Sequence, residues 1–140
     1  RGRASTAAGS APPVLSKKIQ AAAATGNVGA VRLWLGAGGR LDATCDRGVS
    51  GCTVLMIAAG NGHKQLVELL LSRGAAVDAR NSNGTTALTW AAIEGHVQVV
   101  EMLLKKGAEV NPQNIDGVTA LMTAAFKGHE RVIELLLQRG

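Results

Sequence analysis

The sequence repeats itself at a spacing of 33 residues. When the chain is aligned with itself at that offset, the dipeptide Gly-His occurs at three equivalent places, and several residues around it are also identical in the three copies. The coinciding positions are Gly62-His63, Gly95-His96 and Gly128-His129; Thr53, Thr86 and Thr119; Leu55, Leu88 and Leu121; and Gly74, Gly107 and Gly140. A fixed period of this length is the signature of stacked supersecondary units, each of which buries its apolar face against the next.

The repetition also determines how the polar residues are interpreted. Trp90, Glu94 and His96 lie around one glycine, as they could in an active site. The glycine and the histidine recur in three copies, however, whereas a catalytic centre is normally present only once. We therefore interpret this cluster as architecture. The sequence predicts no catalytic residue, no cofactor site and no enzyme.

Local chemistry divides each copy into two short helices. In the copy that begins at Thr86, this hydroxyl stands where an N-cap belongs, and Gly95 ends the first helix. A second helix begins near His96, and Gly107 supplies the left-handed turn that ends it. The apolar residues of this second helix recur at helical spacing and form one face; they are Val97, Val100, Leu103 and Leu104.

A fourth, weaker copy comes first in the chain, at an offset of 36 residues from the copy that follows it. Its three extra residues fall between Thr44 and Cys52, so the loop there is predicted to be longer than the later ones. Asn27 replaces the histidine, and Lys17 replaces the capping threonine. Terminal repeats are often atypical because one face meets water, so this copy is predicted to be the N-terminal cap.

Three segments at the start of the copies carry a family resemblance: "TVLMIAA", "TALTWAA" and "TALMTAA". With the Gly-His pair, the leucine pair and the endings "GAAVDA" and "GAEVN", they resemble the ankyrin repeat over about nine-tenths of the chain. The family's proline is replaced by Val54, Ala87 or Ala120, and its first histidine by Met56, Thr89 or Met122. The resemblance implies an all-α ankyrin-repeat solenoid of about four helix-turn-helix repeats with β-hairpin-like loops.

The chain divides into an arm and four repeats. We expect a basic, flexible N-terminal arm at 1–15, a degenerate capping repeat at 16–45, and ankyrin repeats at 46–80, 81–113 and 114–140. Up to Leu41 there are six basic residues and no acid, so the net charge of +5 originates there. The arm is interpreted as a linker or as the remnant of an organellar targeting segment. The array is expected to continue beyond Gly140 or to be capped by a partner.

The two cysteines and the three histidines receive structural interpretations. Cys45 and Cys52 cannot hold a structural zinc ion alone, because such a site takes about four ligands, and no metal site is predicted. A pair of intracellular thiols is the first interpretation, and a disulfide that closes the loop is the alternative. His63, His96 and His129 are predicted to anchor the turn between helices by hydrogen bonds.

The two tryptophans are also predicted to be structural. Trp34 stands where the next repeat has Leu70, so we expect it in the core. Trp90 stands where the neighbouring repeats have Ile57 and Thr123, and we expect it between layers, with an exposed edge as the alternative.

Ankyrin proteins meet their partners with the hairpin tips and with the concave face of the first helices. Carried over by resemblance, the partner-binding positions are Val49, Ser50, Cys52, Asn61, Ser82, Asn83, Thr85, Ile93, Glu94, Ile115, Asp116, Val118, Phe126 and Lys127. The apolar members of this set lie mostly in the third and fourth repeats, and the largest of them is Phe126. They predict an apolar patch on these two repeats, rimmed by Glu94, Asp116 and Lys127. Isolated exposed apolar residues, or packing in crevices, are the alternative.

The predicted function is a non-catalytic protein–protein interaction module: a scaffold, an adaptor or a subunit of a larger complex. The expected partner is another protein, with no small-molecule substrate. Nucleic acid is disfavoured because the basic arm has no aromatic residues for base stacking. No apolar run approaches the roughly 18 residues of a membrane span. The oligomeric state is left open.

Two alternatives remain for the function. The array could be the targeting domain of a longer enzyme, or the basic arm could bind nucleic acid or another anionic surface. The expected location is intracellular, in the cytoplasm or nucleus. A chloroplast or mitochondrion is the alternative if the arm is a targeting remnant.

Overall fold

The computed structural model describes residues 13–46 and 50–140, and this part of the chain forms eight α-helices. They are α1 (Lys17–Thr25), α2 (Val28–Gly36), α3 (Val54–Gly60), α4 (Lys64–Ser72), α5 (Ala87–Ile93), α6 (Val97–Lys105), α7 (Ala120–Lys127) and α8 (Glu130–Arg139). Consecutive helices pack in pairs, and each pair packs on the next. The predicted all-α solenoid of four helix pairs is confirmed. None of the described helices is long and apolar enough to cross a membrane.

Hydroxyl caps explain where the first helix of each pair begins. The Oγ1 atoms of Thr53, Thr86 and Thr119 accept from the backbone N–H three residues later, at 3.3, 3.3 and 3.2 Å. Lys17 was aligned with these threonines and is not the cap. The Ser16 hydroxyl accepts from the N–H of Ile19 at 3.3 Å, so α1 begins one residue after a serine. A capping oxygen satisfies a first-turn amide that would otherwise lack a partner.

The histidines hold successive repeats together. The Nε2 atom of His63 donates to the carbonyl of Ala24 at 2.6 Å, and that of His96 donates to the carbonyl of Gly60 at 3.1 Å. The carbonyl of Ile93 receives the corresponding bond from His129, at 2.9 Å. The predicted anchoring role is therefore confirmed, and the anchored turn belongs to the preceding repeat.

The core runs along the array between the two layers of helices. The paired alanines of α3 and α5 are completely buried, which lets neighbouring helices approach closely. Larger side chains fill the space between the first and second helices; among them are Leu55, Leu66, Leu70, Leu88, Val100 and Leu103. Because each repeat supplies the same small and large residues, one packing arrangement is used repeatedly.

The ordered array begins earlier than the sequence predicts. Leu15 falls in the predicted arm, but it is 1% exposed and belongs to the core. Its N–H donates to the Thr44 carbonyl at 2.7 Å, and the Thr44 N–H donates to the Pro13 carbonyl at 2.9 Å. Residues 13–15 therefore pair with Thr44, which in turn bridges to Thr53 across the base of the first hairpin. The rest of the predicted arm, residues 1–12, lies outside the described residues.

Both tryptophans are half-buried and pack against the core. Trp34 covers Gly39, where an added Cβ would overlap the indole ring. Trp90 belongs to α5 and packs against the end of α3. A Cβ added to Gly60 of α3 would lie 3.5 Å from the Trp90 Cβ. The Trp90 Nε1 atom is buried, and no hydrogen-bond partner for it occurs among the described residues.

Candidate functional site

Two large exposed apolar side chains of the last repeat, Met122 and Phe126, lie around one open cavity. It measures about 460 Å³ and is lined by Ile93, Val118, Met122, Thr123, Phe126 and Lys127. We call this surface the apolar cleft. Phe126 is 88% exposed and Met122 is 54% exposed, whereas Ile93 and Val118 are half-buried. The cleft brings together four residues of the predicted partner-binding set, Ile93 from the third repeat and Val118, Phe126 and Lys127 from the fourth.

Phe126 has a position that the repeat scaffold does not require to be large. Its equivalents in the earlier repeats are Ala24, Gly60 and Ile93. The side chain at this position grows along the array, from a methyl group or none to a fully exposed aromatic ring. Exposed aromatic rings are costly to keep in water. The structure therefore offers no packing reason for this phenylalanine.

Met122 lines the cleft although it is absent from the predicted set. Its equivalents are Met56 and Thr89, which are 2% and 3% exposed because the next first helix covers them. Among the described residues no helix covers α7 in the same way, so Met122 lies at the surface. A single repeat pattern marks this position as core. Its exposure depends on whether another first helix packs against α7, and the repeat pattern itself does not contain that information.

Three charged residues belong to the predicted rim of the apolar surface. Glu94, Asp116 and Lys127 are all exposed, and none of them forms an ion pair with another described residue. Lys127 lines the apolar cleft directly. Glu94 lines the neighbouring cavity of about 420 Å³, which Trp90 and other residues of α3 and α5 surround. The rim therefore offers both signs of charge to a bound molecule.

The hairpin tips form a hydrogen-bonded ladder beside the first helices. The Ser82 N–H donates to the Ser50 carbonyl, and the Ile115 N–H donates to the Asn83 carbonyl, both at 2.9 Å. Ser50, Ser82, Asn83 and Ile115 are all exposed. Because each tip is bonded to the preceding one, these predicted positions are held in a fixed order along the array.

The structure changes the predicted set at two positions and does not describe a third. Cys52 and Thr85 are buried, so neither adds an exposed side chain to the surface, although Cys52 lines the neighbouring cavity of about 420 Å³. Both lie in the returning arm of a hairpin, where the Thr85 N–H donates to Asn81 Oδ1 at 3.0 Å and Cys52 Sγ accepts from Asn81 Nδ2 at 3.6 Å. Val49 lies outside the described residues. Asn61 is exposed, and its Nδ2 donates to the Ile57 carbonyl at 2.8 Å.

The titratable groups of the described residues are not gathered into a reactive centre. Residues 13–46 and 50–140 contain no group of three or more His, Cys, Asp or Glu side chains placed to hold a metal ion. Each histidine donates to a backbone carbonyl of the preceding repeat. Burial raises the pKa of the Cys52 thiol, and the nearby Cys45 raises it further, against a lowering contribution from Asn81.

Two protein-family models match this chain, and together they cover nearly all of the helical array. The family model described as Ankyrin repeats (3 copies) matches residues 19–114, and the model described as Ankyrin repeat matches residues 116–140. No curated protein matches the chain. The two family matches include all eight helices except the first two residues of α1, and they take in every residue of the apolar cleft. The chain therefore belongs to the ankyrin repeat family.

Proposed function

We propose that this chain is a non-catalytic scaffold, adaptor or complex subunit that binds another protein through the apolar cleft. Ankyrin repeats are generally protein–protein interaction modules, which supports the coarser part of this proposal. The finer part, the surface used and the kind of contact made, rests on the geometry around Phe126.

The observation that carries the proposal is the exposure of Phe126 beside an apolar cavity. Burying a phenylalanine side chain fully contributes roughly 1.5–3 kcal/mol relative to leaving it in water. The ring lies next to Met122, and methionine adapts its shape to varied partners. A partner with one apolar side chain could insert it into the cavity and cover the ring at the same time.

The surroundings of the cleft fit a protein contact of ordinary anatomy. Such contacts have an apolar centre and a polar rim, and aromatic and methionine side chains are enriched at the centre. Here Phe126 and Met122 form the centre, Lys127 lines the cleft beside them, and Glu94 lines the neighbouring cavity. The repeats are already ordered and bonded to each other, so little conformational entropy is lost when the surface is covered.

The proposal is tested by photo-crosslinking from defined positions. A photoreactive phenylalanine analogue replaces Phe126 in one preparation and Leu33 in a matched control. Leu33 is 77% exposed, so it is a comparable apolar side chain, but it lies on α2 in the first repeat. We expect a protein that co-purifies with the native chain to crosslink from position 126 and not from position 33. Equal labelling from both positions, or labelling from 33 alone, would contradict the proposed surface.

The sequence alternatives remain predictions. A role as the targeting part of a longer enzyme, and binding through the basic arm, are favoured by no observation on the described residues. The intracellular location likewise stays a prediction.

A further inference from the structure

The first hairpin is closed at the same place as the other two. Each of the three hairpins contains two equivalent backbone hydrogen bonds across its base. The bonds are Cys45 N–Cys52 O (3.0 Å) and Gly51 N–Cys45 O (3.0 Å); Asn81 N–Thr85 O (3.1 Å) and Gly84 N–Asn81 O (2.9 Å); and Asn114 N–Val118 O (3.0 Å) and Gly117 N–Asn114 O (2.9 Å). Cys45 therefore occupies the place of Asn81 and Asn114, and Cys52 occupies the place of Thr85 and Val118.

In the second and third hairpins the asparagine side chain fixes the loop. Asn81 Oδ1 accepts from the N–H groups of Asn83 and Thr85, at 2.9 and 3.0 Å. The same two bonds recur around Asn114, with distances of 2.8 and 2.9 Å. These bonds hold the tip and the returning arm to one side chain. The asparagine thus acts as a clamp across the base of each loop.

Cys45 cannot provide that clamp, because a thiol is only a weak hydrogen-bond acceptor. The first loop is also three residues longer than the others, and the entropic cost of closing a loop rises slowly with its length. In place of the asparagine, two buried cysteines face each other across the base of the loop, joined by the backbone bond from Cys45 N to the Cys52 carbonyl at 3.0 Å. Both side chains are buried, and the adjacent Thr44 and Thr53 form an antiparallel bridge.

We propose that Cys45 and Cys52 are a modification site at which a small-molecule disulfide, such as glutathione disulfide, forms an intramolecular disulfide that closes the first hairpin covalently. Residues directly opposite each other in an antiparallel pair have Cα atoms about 4.5–5.5 Å apart. A disulfide spans Cα separations of about 4.4–6.8 Å. Two cysteines in this register therefore fall within the Cα separation that a disulfide requires.

The reaction balances as a thiol–disulfide exchange in two steps. Cys52 lines the open cavity between α3 and α5, so its thiolate attacks one sulfur of the incoming disulfide and releases one small thiolate. The Cys45 thiolate then attacks the Cys52 sulfur of this mixed disulfide and releases the second small thiolate. Two protons and two electrons leave the cysteine pair, and the oxidant becomes two thiols. Because burial raises the pKa of Cys52, the first step speeds up as the pH rises.

The test equilibrates the whole chain in glutathione buffers of graded composition. Thiols are then trapped by alkylation, and the intact mass is measured. The product expected is a monomer that has lost two alkylation sites and the mass of two hydrogen atoms. Its equilibrium constant for oxidation should exceed that of the same chain unfolded in urea by roughly tenfold or more. An equal or smaller constant in the folded chain, glutathione adducts without ring closure, or disulfide-linked dimers would each overturn the proposal.

A matched control restores the residues of the second hairpin. The double variant Cys45→Asn/Cys52→Thr places asparagine and threonine where Asn81 and Thr85 stand in the next repeat. Oxidation should raise the melting temperature of the native protein and leave that of the double variant unchanged. If oxidation leaves the melting temperature of the native protein unchanged or lowers it, the disulfide does not take over the clamping role. The measurements on the native chain decide the proposal even if the variant fails to fold.

Discussion

At the turn between two helices, one glycine meets two separate demands. Gly62 has a φ angle of 74°, which L residues with a side chain rarely adopt. A Cβ added there would also lie 2.5 Å from Nδ1 of His96, the histidine of the next repeat. The residue is therefore restricted both by its own backbone and by a neighbour that is 34 positions away in the chain. Gly128 has nearly the same φ angle, 77°, but a Cβ there would meet nothing within 4 Å.

These two glycines separate the cost of backbone strain from the cost of the histidine contact. We expect Gly128→Ala to lower the free energy of unfolding by about 1 kcal/mol through the left-handed backbone alone. Gly62→Ala should lower it by about 1–3 kcal/mol more, because the methyl group must displace the ring of His96. Urea unfolding followed by circular dichroism measures both changes. Equal losses in the two variants would show that the histidine ring yields without cost.

Among the elements, the N-terminal segment and the hairpins are where the sequence and the structure differ. The 33-residue period predicts the eight helices, because the capping threonines, the apolar spacing and the turn glycines repeat in register. The Ser16 cap of α1 does not follow from the repeat, because Lys17 occupies the position of the capping threonines and the capping hydroxyl lies one residue earlier. The burial of Cys52 and Thr85 could not be predicted from one repeat, since it depends on the neighbouring hairpin.

The segment before α1 provides a test at the scale of one element. Leu15 is 1% exposed, whereas Val14 beside it is 62% exposed. Replacing Leu15 with Ala should lower the free energy of unfolding by about 2–4 kcal/mol, because it removes buried methyl groups and leaves a cavity. Val14→Ala should change it by less than about 0.5 kcal/mol. A loss in the Leu15 variant no larger than in the Val14 variant would mean that this segment is not part of the core.

At the scale of the whole molecule, the position of the apolar cleft follows from the order of the repeats. α3 and α5 are each covered by the next first helix, so their equivalents of Met122 are buried. On α7 the same scaffold position is exposed beside Phe126, and the two residues line one cavity. The sequence predicted Phe126, Ile93 and Val118 as members of this surface because they depart from the repeat pattern. It could not predict Met122, which follows the pattern.

The kind of contact made by the molecule should be visible in its dependence on salt. Burial of apolar surface changes little with salt, whereas binding that neutralises phosphates weakens steeply as the salt concentration rises. We expect the dissociation constant of the complex to change by less than about tenfold between 50 and 200 mM salt. The dissociation constant is measured by titrating the partner into this chain, labelled with a fluorophore, at several salt concentrations. A loss of about a thousandfold or more over this range would favour binding through the basic arm.

The charge substitution at position 126 tests the central claim most directly. Phe126 is almost fully exposed, so Phe126→Glu should leave the thermal unfolding midpoint near that of the native chain, with a cost under about 0.5 kcal/mol. Ile93→Glu is less suitable because Ile93 is half-buried, and the charge would also weaken the fold. In the complex, the charge at position 126 would enter a desolvated contact.

The deciding measurement is therefore the dissociation constant of the partner complex for Phe126→Glu, with Leu33→Glu as the control of equal charge on α2. The account predicts that the Phe126 variant melts like the native chain and binds at least about thirtyfold more weakly, the loss that accompanies a contact of about 2 kcal/mol. Leu33→Glu should bind with unchanged affinity. Unchanged binding by a folded Phe126→Glu variant would contradict the assignment of the apolar cleft as the partner-binding surface.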